Sequence, residues 1–178
     1  MKITGREKNR KKKSRTSGFT LAETLMVVLI VSILSAAVAG GTIVVRNAYV
    51  KITLKANAQT VLSTTVTALE SEFPYASDVG REAENPSFLS GVSGVRVSFQ
   101  SDPGSNIYIH YTSDSLTDQP LLTEKTVTDE LRTGLTYTYD RDRKLFDLHV
   151  AVYDRDSGQV LAEYPKNTGH FYIRTIKG

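Results

Sequence analysis

Glu23 is the residue whose type and position most plainly ask for chemistry, because it stands near the start of a long apolar run and apart from the basic segment before it. An ionisable side chain in a membrane span costs about 2.5–3.5 kcal/mol at the centre and less near the interface, so such residues are usually paired or functional. Phe19 and Val27 are its neighbours at four residues. No basic residue lies one helical turn away, and the partner is expected from outside the chain. Two acidic turns are the other candidates. Asp140-Arg141-Asp142 and Asp154-Arg155-Asp156-Ser157-Gly158 are similar to the opening of a calcium loop, which makes Asp154 and Asp156 candidate metal ligands. Pro165 stands where an EF-hand spacing from Asp154 needs a bidentate Glu, and hairpin turns favour the same Asp and Gly. His110, His149 and His170 fall on separate expected strands, without short metal spacing, and read as surface or rim residues.

Several classes of chemistry find no support. With no Cys, the chain has no disulfide, thiolate metal site or Cys nucleophile. It shows no Ser/His/Asp order, Walker loop or GxGxxG. No cofactor and no enzymatic activity are therefore expected. The net charge of +3 averages two unlike regions. Residues 1–18 hold eight Lys/Arg against one Glu, a local +7, and the remainder holds 14 Lys/Arg against 18 Asp/Glu, a balance of −4. That acidic body gives no support to a nucleic-acid partner. The Lys11-Lys12-Lys13 run reads as an orientation signal. Tyr108, Tyr111, Tyr137, Tyr139, Tyr153, Tyr164 and Tyr172 lie in or beside strand runs, where aromatics are good strand formers.

The elements that would position Glu23 follow from patterning. Leu25 to Val45 is a run of 21 residues without a charge, ended by Arg46. At 1.5 Å per residue it spans about 30 Å, the thickness of a bilayer's hydrocarbon core. Basic residues before such a span predict a cytoplasmic N-terminus and an exported remainder. Residues 46–73 continue as an amphipathic helix, with Ala58, Val61, Leu62, Val66, Leu69 and Phe73 on one face. Pro74 predicts its end near Phe73.

Residues 74–94 read as a loop, and from there the period becomes two. Strands are expected at Val95–Phe99, Ile107–Tyr111, Leu135–Tyr139, Phe146–Val152, Val160–Tyr164 and Phe171–Thr175, bounded by turns at 102–104, 140–143, 156–158 and 167–169. Residues 121–133 are ambiguous, with Asp129-Glu130-Leu131-Arg132 open to one short helical turn. The fold class is α+β: one long N-terminal helix, transmembrane in its first half and amphipathic in its second, packed on a small antiparallel meander. Four zones result: a basic leader (1–18), a transmembrane helix (19–45), its amphipathic continuation (46–73) and an extracytoplasmic sheet domain (74–178).

The run Gly18-Phe19-Thr20-Leu21-Ala22-Glu23, after a basic leader and before an apolar helix, resembles the class III signal of type IV prepilins and pseudopilins. The close resemblance covers about residues 12–45. It implies that a prepilin peptidase cuts between Gly18 and Phe19 on the cytoplasmic side and methylates the new N-terminus, making Phe19 an N-methylphenylalanine. It implies that Glu23 pairs with the α-amine of a neighbouring subunit during assembly. It further implies partners in other pilin-like subunits, an assembly platform and an ATPase. The expected location is the bacterial cytoplasmic membrane, single-pass, then a surface or periplasmic filament. Many pilins carry a Pro about 22 residues after the cut, where this chain has Gly40-Gly41. That pair reads either as a place where the helix loosens or as a close-packing site. Two further readings remain. Ala37-Val38-Ala39 fits ordinary signal peptidase cleavage after Ala39, which would release a soluble domain, although the apolar stretch outruns the usual h-region of about 7–15 residues. An uncleaved anchor carrying a binding domain, an enzyme or a sensor is the other.

Overall fold

The computed structural model describes residues 18–176 apart from residues 103, 114 and 168. Most of the basic leader and parts of the turns at 102–104 and 167–169 thus lie outside the described residues. The chain divides into two compact units between Asn47 and Ala48.

The long helix α1 runs Leu21–Glu72, and a 3-10 turn at Phe73–Tyr75 follows it. The expected ends at 19 and 73 each move inward. Phe73 leaves α geometry because Pro74 clashes with a helical conformation of the residue before it. In the first unit α1 contains an 18-residue window of mean hydropathy 2.5 with none of it buried, long and apolar enough to cross a membrane. Two of the hydroxyls there are satisfied by the helix itself. Ser32 donates to the Val28 carbonyl (2.7 Å) and Thr42 to that of Val38 (2.8 Å), as a lipid environment requires. The helix passes through Gly40-Gly41 without a break.

In the second unit the rest of α1 packs on antiparallel sheets. One sheet is ordered β1 (Phe88–Leu89), β2 (Arg96–Gln100), β3 (Tyr108–Tyr111), β4 (Gln119–Pro120). The other is built on β5 (Leu131–Asp140) and β6 (Leu145–Asp154), with β7 (Val160–Tyr164) and β8 (Phe171–Arg174) both on the far edge of β6. β7 takes Val150 to Tyr153 and β8 takes Leu145 to Leu148. The single meander expected from spacing is therefore corrected to two four-stranded sheets. A ten-residue strand such as β6 leaves room for two short partners end to end. The segment 74–94 is not all loop, since it contains β1, and Asp129–Arg132 is no helical turn, since β5 begins at Leu131.

The outer edge of β5 is closed by side chains instead of a strand. Asn106 Oδ1 accepts the Thr133 N–H (3.1 Å), Ser101 Oγ that of Leu135 (3.2 Å) and Asn85 Oδ1 that of Tyr137 (3.0 Å). Unpaired strand edges are sites of aggregation, and these three residues cover one.

The core is aromatic and centred on Phe73, which is fully buried. Its ring lies 4.6 Å from Phe146, 5.1 Å from Tyr137, 5.3 Å from Phe99 and 5.4 Å from Phe88, centroid to centroid. Ala58, Val61, Leu62 and Leu69 line the helix face above the sheets as expected, whereas Val66 is only half-buried and Thr65 takes a core position. The Thr65 hydroxyl is accommodated by donating to the Val61 carbonyl (2.8 Å). Tyr137 is buried with its hydroxyl donating to the Pro86 carbonyl (3.0 Å) and accepting the Phe99 N–H (3.1 Å). Burial holds that phenol above its ordinary range. Phe73→Ala is expected to destabilise the second unit by about 3–5 kcal/mol, because it empties the centre of the cluster. Urea unfolding followed by tyrosine fluorescence measures this, and a loss under about 1 kcal/mol would place the core elsewhere.

Candidate functional site

The local chain around Glu23 sets the site's geometry. Gly18, Phe19 and Thr20 are non-helical and exposed, with Phe19 79% accessible. Thr20 is the N-cap of α1, since its carbonyl accepts the first helical bond, from the Thr24 N–H (3.2 Å). Three residues on, Glu23 reaches back. Its Oε2 accepts the Thr20 N–H (2.9 Å) and the Thr20 hydroxyl (3.0 Å), while the Glu23 N–H donates to Thr20 Oγ1 (3.3 Å). This is a capping box, the reciprocal arrangement of T-x-x-E at a helix start. The negative charge also lies at the favourable, positive end of the helix dipole.

Glu23 therefore has one hydrogen-bonding partner within its own chain, Thr20, beside the ionic partner expected from outside it. Thr20 satisfies one carboxylate oxygen, while Oε1 accepts no hydrogen bond among the described residues. Among the described residues no cation pairs with that carboxylate. The bond between Gly18 and Phe19 stands in exposed, non-helical backbone ahead of the first helical residue. Cutting it would create an amine at Phe19, one turn of chain from the capped carboxylate.

The other candidates are not drawn to this place. Asp154 Oδ1 accepts the N–H groups of Asp156 (3.0 Å) and Ser157 (2.9 Å), and Asp140 Oδ1 those of Asp142 and Arg143 (3.0 Å each). The Ser157 N–H holds the Asp154 carboxyl below its usual range. Gly158, at φ 69°, completes that hairpin in a conformation that favours glycine. These are the turn interactions that Asp and Gly make in hairpins, and no grouping of three or more His, Asp or Glu fit for a metal occurs among the described residues. His110 stands apart on β3, whereas His149 and His170 border one small cavity with Asp147, and each histidine lies beside a carboxylate. His110 Nδ1 is 3.0 Å from Asp118, His170 Nδ1 2.6 Å from Asp147 and His149 Nε2 3.8 Å from Glu163.

An exposed apolar N-terminal helix continuing into a sheet-covered amphipathic half defines an α+β, pilin-like arrangement. Residues 13–39 match the family described as the prokaryotic N-terminal methylation motif, which is consistent with a type IV pilin-like signal over that segment. No curated protein and no solved structure gives a significant match.

Proposed function

We propose that this chain is a structural filament subunit. Prepilin peptidase cleaves it between Gly18 and Phe19 and methylates Phe19, and pilin-like subunits then pack their apolar helices together in a pilus or pseudopilus. Leu25–Val45 spans the cytoplasmic membrane with the sheet unit outside, until an assembly platform and ATPase drive extraction. The observation that carries this reading is the half-used carboxylate of Glu23. Its Oε2 is taken by the Thr20 cap, and its Oε1 accepts no hydrogen bond among the described residues. The α-amine made by the cut is a cation of matching size, and it stays cationic after methylation. In a low-dielectric bundle of helices such an attraction is far stronger than in water. Because each end would otherwise be an unpaired charge, the pair sets subunit register.

Cleavage after Ala39 fits the geometry less well. Ala39 lies in the middle of the α1 segment in the first unit, with helix on both sides, so the scissile backbone would have to unwind first. Such a cut would also leave Glu23 without a role. Co-expression with a prepilin peptidase is the test. The expected result is a chain shortened by the leader and beginning at Phe19. A chain shortened to begin at Gly40, or left intact, would overturn the reading.

A further inference from the structure

Beyond Arg46 the helix keeps a basic character that the signal does not require. Lys51 and Lys55 are one turn apart on the same face, both exposed. No acidic residue occurs on α1 between Glu23 and Glu70, and neither lysine belongs to an ion pair among the described residues. A third ammonium, Lys166, borders with Lys55 the groove where β7 meets the helix. The acidic residue in that groove, Glu163, is already engaged by His149 (3.8 Å) and by the Asn167 N–H (3.3 Å). Beside the lysines, Tyr49 and Ile52 stand 69% and 68% exposed.

Cations on an exported flank run against the usual orientation bias, so orientation does not account for them. Distance along the chain points to their partner. Lys51 and Lys55 follow Val45 by six and ten residues, about 9 and 15 Å of helix. Headgroups occupy about 5–8 Å beyond the hydrocarbon on each side, and exposed charges act over about 8–10 Å at physiological salt. A lysine reaches back toward such a layer along its own apolar stem. Tyr49, nearer to Val45, falls where aromatic side chains anchor spans.

We propose that Lys51 and Lys55, with Lys166 beside them, hold anionic phospholipid headgroups of the outer leaflet while the subunit waits in the membrane. The inference rests on the reading that Leu25–Val45 spans the bilayer with the sheet unit outside. The lipid phosphates occupy the lysines until extraction, so the subunit is held upright and close to the surface from which it is drawn.

Full-length chain, solubilised gently from a membrane containing phosphatidylglycerol and zwitterionic lipid, tests this through mass spectrometry of the lipids that stay bound. Each lysine near an anionic surface is worth about a fivefold gain in association. Lys51→Gln with Lys55→Gln is therefore expected to lower phosphatidylglycerol retention about 25-fold, and Lys51→Arg with Lys55→Arg to preserve it. The leader is the same in every sample, so the phosphatidylglycerol it holds, measured on residues 1–47 alone, is subtracted before the ratio is taken. Equal retention in native and Gln chains, or no preference for phosphatidylglycerol in the native chain, overturns the proposal. Alkaline carbonate washing of the same membranes separates the two readings. A chain that washes off contradicts the span itself, whereas a chain that stays but shows no lipid preference contradicts the headgroup site alone.

Discussion

Cells carrying Glu23→Ala or Glu23→Gln are expected to trim the chain normally and to build no filament from it. The two substitutions separate the two jobs that the geometry gives this residue. Ala removes the cap and the charge together. Gln keeps the cap, because its amide oxygen can still accept from Thr20 as the last position of a capping box, but it offers no charge. Loss of a cap costs only about 0.5–2 kcal/mol, and the long apolar helix tolerates that. Stranding one partner of a buried ion pair costs about 3–5 kcal/mol, more than a hundredfold in the association of each added subunit. If the charge pair governs assembly, both variants fail alike. Wild-type filament yield from Glu23→Gln, measured in sheared or detergent-extracted polymer, would show that capping is the residue's whole contribution.

Gly18→Val is expected to fold and insert as the native chain does, yet to remain untrimmed. The chain itself has no objection to a side chain there. A Cβ built on Gly18 meets nothing within 4 Å, and the residue is not in the left-handed region that favours glycine. Any effect of the substitution must therefore arise against the peptidase that receives this bond. A displacement of about 1 Å in a reacting group costs about a hundredfold in rate, and a β-branched side chain imposes at least that next to the scissile carbonyl. Gly18→Ala should be slowed to a lesser degree. Immunoblotting precursor against trimmed chain over time measures both. Trimming of Gly18→Val at the native rate would move the cut site elsewhere.

What could be read from the sequence was what repeats locally. Ala58, Val61, Leu62, Leu69 and Phe73 fall at helical spacing, and all five lie in the core. β5 and β6 alternate strictly enough to be seen, with Leu135, Tyr137, Phe146, Leu148 and Val150 buried in turn. What was not legible depends on partners distant in the chain. β1 and β4 are two residues each, too short for any period. That β8 joins β6 beside β7 follows from the unequal lengths of those strands, which turn positions alone do not give. Asn85 capping Tyr137 joins residues 52 apart. At the site the omission was of another kind. Thr20-x-x-Glu23 before an apolar run is a helix-start signal written in four residues, but looking only for a basic partner to Glu23 passed over the hydroxyl and N–H three positions upstream.

Trypsin finds no Lys or Arg between Phe19 and Arg46, so tandem mass spectrometry of that first peptide from the assembled polymer reads the processed end directly. The expected peptide runs from Phe19 to Arg46 and carries one additional methyl group on the Phe19 nitrogen. A polymer whose chains begin at any other residue, or at Phe19 with a bare amine, would contradict the sequence of cutting, methylation and charge pairing set out above.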